Sequence, residues 1–238
     1  MVEGDLPFRD PREAWFSPYR GTEFGIAFKW LCGGAALYAL LLLVMMAGKP
    51  GEATWPVVGP SLYLTPLYGL PYVLATVNKP GRTRRMLYFI LLLPLAHVAA
   101  NYAAFSYAAR TFDLELPGVD VQRDLVAGAL GGLTGAVLAF ALLALVRLTA
   151  PDRRHLPVMI LGTVLLAAIG AAAMAAGLQW TDALRRPDDP GRAIIWYETV
   201  HLPWQLAFAL LLAWLMRRKP EPRRKRARPA PAAETPES

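Results

Sequence analysis

Apolar residues in this chain come in long runs and not at every second position or as one stripe of a surface helix. Six runs, at about 24–47, 55–77, 86–109, 125–148, 156–180 and 193–216, are separated by charged, glycine- or proline-containing stretches. Each approaches the roughly 20 residues that a helix needs to cross a hydrocarbon core about 30 Å thick. Inside that core every backbone N–H and C=O must be satisfied within the segment, so the runs predict helices. Strands of a membrane barrel would alternate apolar and polar residues instead. The pattern therefore predicts an all-α integral membrane protein, a bundle of six transmembrane helices.

The second run differs from the rest. Pro56, Pro60, Pro66 and Pro71, with Gly59 and Gly69, fall inside it. Pro56 suits a first helical turn, but an interior proline removes a hydrogen bond and costs about 3 kcal/mol in water. A kinked or discontinuous helix is expected, broken at Pro60, Pro66 or Pro71, with its freed carbonyls facing protein or a cavity. A segment that only dips into the membrane is the alternative, leaving five spans. Pro94 predicts a further kink in the third run. The fourth run carries Gly128, Gly131, Gly132 and Gly135, two overlapping G-x-x-x-G patterns that give a smooth helix-packing face. Its partner is either another helix of this chain or a second protomer, and the intramolecular case is favoured.

Charge supplies the orientation. Lys and Arg in the connections divide 18 to 6 between alternate sides, and 10 to 6 without the C-terminal tail. By the positive-inside rule both termini are cytoplasmic and the membrane is the inner (plasma) membrane. Residues 1–23 mix Phe8, Trp15, Phe16 and Tyr19 with Arg9, Arg12 and Arg20, as a segment along the headgroup layer would, or as a loosely ordered tail. They do not resemble the short basic lead of a secretory signal, so the first run is expected to remain as an anchor. Residues 217–238 form a basic, Pro- and Ala-rich disordered tail, with eight basic residues between Arg217 and Arg228. The formal charge of +7 is thus placed for anionic membrane lipids at the headgroups, and nucleic acid is disfavoured as a partner. A single cysteine, Cys32, excludes an intramolecular disulfide and thiolate metal clusters.

Candidate chemistry lies in polar groups at membrane depth, where they are expensive. The third run offers His97, Asn101 and Tyr102; the sixth offers Glu198, His201 and Gln205. His97 and Asn101 are four apart, and Glu198, His201 and Gln205 are three and four apart, so each set shares a helix face. At about 1.5 Å per residue the two sets lie at similar depth and can meet if the helices are neighbours. Such a cluster can carry protons, hold a cation, bind haem through His97 and His201, or simply join helices. Glu198-x-x-His201 is half of a di-iron pattern, but the further carboxylates at depth are missing. Phosphate loops, nucleophile elbows and H-E-x-x-H are also lacking.

This thin catalytic inventory favours a non-enzymatic small transporter, channel or accessory subunit of a membrane complex. A membrane enzyme or redox subunit using the polar cluster on a lipid, a quinone or haem is the second reading. A structural or assembly factor is the third. Partners within the membrane, whether a second copy or a larger complex, are open on the sequence.

Overall fold

The computed structural model describes residues 21–47, 58–79, 81–111, 120–149, 154–182 and 190–217. The N-terminal interfacial segment, the Gly48–Gly51 breaker cluster and the basic tail lie outside the described residues. Six helices follow one another: α1 (Phe24–Ala47), α2 (Val58–Ala75), α3 (Arg82–Arg110), α4 (Val121–Leu145), α5 (His155–Asp182) and α6 (Pro190–Leu215). Four of them, over Phe24–Met45, Arg82–Arg110, Val121–Leu145 and His155–Gly177, are long and apolar enough to cross a membrane. By length and composition this is a polytopic helical bundle.

Each helix packs against the next in sequence, and α6 returns to pack on α1, which closes a ring. Contacts at one end fix the directions. Thr22 N–H, just before α1, donates to the Met216 carbonyl at 2.9 Å, just after α6. The Thr22 hydroxyl meets the Tyr72 hydroxyl near the end of α2 at 2.8 Å. Arg84 and Arg85, at the start of α3, reach carbonyls of Arg147, after α4, and of Thr76 and Lys79, after α2. His155, which opens α5, stacks edge-on against Trp214 of α6. The starts of α1, α3 and α5 and the ends of α2, α4 and α6 therefore share one end, and neighbours run antiparallel.

Helix boundaries have local causes. The Asp120 side chain accepts from Arg123 N–H at 3.0 Å, an N-cap that starts α4 four residues before the apolar run. Its far end stops at Leu145 because Arg147 adopts a left-handed conformation (φ 54°). Leu148 N–H then reaches the Leu143 carbonyl and Arg147 N–H that of Ala144, a Schellman turn with Leu148 and Leu143 both buried. Arg85, 1 % exposed, sets its guanidinium on the Thr76 and Lys79 carbonyls at 2.7 and 2.8 Å. Arg84 and Arg85 thus satisfy helix C-termini, where positive charge is favoured.

Two proline expectations need correction. Of the kinked or discontinuous helix expected at Pro60, Pro66 and Pro71, the discontinuous form is absent: α2 runs as one helix from Val58 to Ala75. Each interior proline removes a single bond, and packing of the intervening Tyr68 and Tyr72, both 2 % exposed or less, holds the helix around the gaps. Nor does α2 dip and return. Leu64 clusters with Leu42 in the last third of α1, while Tyr72 bonds Thr22 before α1, so the two helices run antiparallel over their shared length. The irregular turn lies instead in α3, where Leu87–Leu92 is π-helical and Leu93 N–H reaches the Tyr88 carbonyl. Directly after it comes Pro94, whose ring would strike the carbonyl four residues back, and the widened turn relieves that clash.

Candidate functional site

Toward the Thr22 end the ring interior is packed with buried aromatic side chains. Tyr68, Tyr72, Tyr88, Phe89, Phe140 and Phe208 fill it, none more than 3 % exposed. Tyr72 and Phe89 meet edge to face at 5.5 Å, Tyr88 and Phe89 at 4.9 Å. Tyr68 and Tyr88 hydroxyls donate to the Gln205 and Ala139 carbonyls at 3.2 and 3.0 Å, tying α2 to α6 and α3 to α4.

Above this plug the two polar faces meet. His97 of α3 and His201 of α6 stand edge to face, ring centres 5.0 Å apart. Tyr38 of α1, 1 % exposed, packs against both, at 6.3 and 5.9 Å. Tyr197 stacks on His201 at 5.7 Å. Both imidazoles are oriented through Nδ1: that of His97 lies 2.6 Å from Thr65 Oγ1, and that of His201 2.9 Å from the Tyr197 carbonyl. A carbonyl only accepts, so His201 Nδ1 carries the hydrogen and Nε2 of the neutral ring is an acceptor. Among the described residues, Tyr38 Oη, Glu198 Oε1, Trp204 Nε1 and Gln205 Oε1 are buried with no hydrogen-bond partner.

A cavity of about 390 Å³ begins at this pair, within the range of small-molecule sites. Thr65, Tyr68, Trp204, Gln205 and Phe208 line its deep end with the two histidines. From there it follows α3 past Asn101, Ala104 and Phe105 to Ala108 and Ala109, a path of about 18 Å from His97 at 1.5 Å per residue. Gly128, Gly131, Gly132 and Gly135 of α4 form one wall. At the far end stand Arg123 and Asp124, paired at 3.1 Å, with Asp124 only 1 % exposed. These two are the only fixed charges among the described lining residues.

The four glycines also seat α4 against its neighbours. A Cβ on Gly132 would lie 2.6 Å from the Leu166 carbonyl oxygen of α5, and one on Gly128 would strike the Gly170 carbonyl. Gly131 and Gly135 face Ala100 and Ala104 of α3 at 3.1–3.2 Å. The face is occupied by helices of the same chain.

Of the residues singled out in the sequence, His97, Asn101, His201 and Gln205 line the cavity. Glu198 is half-buried outside its lining, one turn from His201. Tyr102 does not join them: it is 66 % exposed and faces away from the bundle interior. One residue after Asn101 on a helix, it is rotated by about 100° from the inward face. Pro66 and Pro71 lie on α2 outside the lining, and the side chain of Pro60 lies outside the described residues. Tyr38, Thr65, Trp204 and Asp124 were not legible as site residues. Aromatic and threonine side chains inside an apolar run carry no signal of their own; for Asp124 the signal on offer was an acid at the head of an apolar run, four residues before Gly128 and so on its helix face.

The haem expectation does not fit. Two imidazoles on opposite faces of one iron hold their ring centres about 6 Å apart, given metal–nitrogen bonds of about 2.0 Å, with the whole macrocycle between them. His97 and His201 are in direct edge contact at 5.0 Å. Among the described residues no group of three or more His, Cys, Asp or Glu side chains is arranged to hold a metal.

Fold and cavity define a class, a polytopic helical membrane protein with a polar cluster at the floor of an intrabundle cavity. Comparison with protein-family models, with curated proteins and with solved structures finds no match.

Proposed function

We propose that all six helices span the inner (plasma) membrane and that the protein binds a small lipophilic molecule inside the bundle. It serves as a carrier or as the ligand-binding subunit of a membrane complex, and not as an open channel. The observation that carries this reading is the cavity of about 390 Å³, apolar along its length, polar at its floor and backed by a closed aromatic plug. A conducting pore needs a continuous wet path, and side chains less than 4 % exposed pack the interior toward the Thr22 end here. The end bearing Lys79, Arg82, Arg84, Arg85, Arg147, Arg154 and Arg217 is read as cytoplasmic. The cavity then opens toward the opposite face, and the basic tail lies against anionic headgroups.

Cysteine accessibility tests the reading in full-length Cys32→Ser protein in vesicles. Ala104→Cys and Ala108→Cys should react with an impermeant thiol reagent from the outer face, and Ala139→Cys, below the plug, from neither. Protection of both cavity positions would overturn the binding cavity. Labelling of Ala139→Cys from the cytoplasmic side would overturn the plug.

A membrane enzyme or redox subunit acting on a lipid or quinone is the second reading, favoured by the histidine pair. Both Nδ1 atoms are engaged, which leaves each Nε2 to a ligand or a proton. Bound quinone in an organic extract of the purified protein, lost in His201→Phe, would promote it over the first. The assembly-factor reading is weakened, because the glycine face on which it rested is covered by α3 and α5.

A further inference from the structure

We infer that the molecule held in the cavity is an uncharged phenol with a lipophilic tail, its hydroxyl donating to His201 Nε2. The inference rests on the binding reading and adds the chemistry of the ligand.

The polarity of the hydrogen bond follows from the backbone. His201 Nδ1–H is committed to the Tyr197 carbonyl one turn earlier on α6, so the neutral ring offers the cavity an acceptor and asks for a donor. A ketone, an ether or an ester alkoxy oxygen brings no hydrogen to that position; a hydroxyl does. Charge is excluded by what surrounds it. Among the described lining residues the fixed charges, Arg123 and Asp124, are paired with each other at the far end. An anionic head at the histidines would be desolvated one turn from the Glu198 carboxyl, with no fixed cation beside it among the described lining residues, which costs several kcal/mol.

The lining of the slot selects a ring over a plain aliphatic alcohol. Near the histidines the lining is aromatic, with the Phe208 ring 6.3 Å from that of Tyr68 and 4.8 Å from that of Trp204. A planar head set against these aromatic faces gains ring–ring contact that an alkyl alcohol cannot. Its tail then follows the alanines of α3 toward Ala108 and Ala109, in keeping with an apolar path and an outer mouth.

The experiment compares three probes on the full-length protein in nanodiscs: 4-octylphenol, its methyl ether 4-octylanisole, and 1-dodecanol. Binding is read by titration against empty nanodiscs. The phenol should bind at least about tenfold more tightly than the ether, the scale of one buried hydrogen bond. That preference should vanish in His201→Phe. In wild-type protein the ¹⁵N resonance of His201 Nε2 should move to the hydrogen-bonded position with the phenol and stay put with the ether, which keeps the test valid if His201→Phe does not fold. Phenol and ether binding equally, both blocked by Ala108→Trp, would overturn the hydroxyl contact while leaving the cavity reading intact. Dodecanol matching the phenol would overturn the aromatic head. Failure of all three to bind, with Ala108→Trp indistinguishable from wild type, would count against the cavity reading itself.

Discussion

Gly132→Ala probes the bundle with one methyl group, and its cost can be worked from the backbone. The added Cβ would sit 2.6 Å from the Leu166 carbonyl oxygen and 3.0 Å from the Ala167 Cα. Both neighbours are main chain, so no side-chain rotamer can relieve the contact. Restoring an ordinary separation of about 3.4 Å requires α4 and α5 to part by about 0.8 Å, and a gap of that size forfeits a quarter to a half of the dispersion energy across the seam. Overpacking of this kind costs about 1–3 kcal/mol. Against it stands the gain in helix propensity of alanine over glycine, about 1 kcal/mol in water. Gly33 on α1 isolates that gain, because a Cβ there meets nothing within 4 Å. The propensity gain is common to both variants, so Gly132→Ala should be less stable than Gly33→Ala by the overpacking cost, about 1–3 kcal/mol. Reversible unfolding in mixed micelles, followed by tryptophan fluorescence, gives the comparison. Equal stability within about 0.5 kcal/mol would refute the close α4–α5 approach.

Three further outcomes follow from single contacts. Arg85→Ala removes two charge-assisted bonds to the Thr76 and Lys79 carbonyls and should destabilise the fold by about 2–4 kcal/mol in the same assay, with Arg85→Lys recovering only part. Thr65→Val keeps the side-chain volume but removes the partner of His97 Nδ1; a loss of about 1 kcal/mol is expected, with a shifted ¹⁵N resonance for that nitrogen, and an unchanged spectrum would deny the contact. For orientation, Glu115→Cys in Cys32→Ser protein should label from outside intact cells and Asp152→Cys only after permeabilisation. The reverse pattern would invert the topology.

What the sequence determined by itself is what the membrane demands of every residue alike: apolar runs long enough to cross, and basic residues concentrated in alternate connections. Those constraints act locally and summed over many positions, so helix existence and most boundaries were readable within a few residues. The facing stripes of α3 and α6 were readable too, since 3.6-residue periodicity puts His97 with Asn101 and His201 with Gln205. Tertiary structure decided the rest. Gly33 and Gly34 are adjacent and chemically identical, yet a Cβ on one meets nothing and on the other would collide with the Tyr68 carbonyl. Pro66 and Pro71 predict a break by their own chemistry, and packing of Tyr68 and Tyr72 overrides it. That His97 and His201 touch, separated by 104 positions in the chain, follows from ring closure of α6 onto α1. So do the cavity beside them and the plug beneath, because an interior exists only once six helices enclose it.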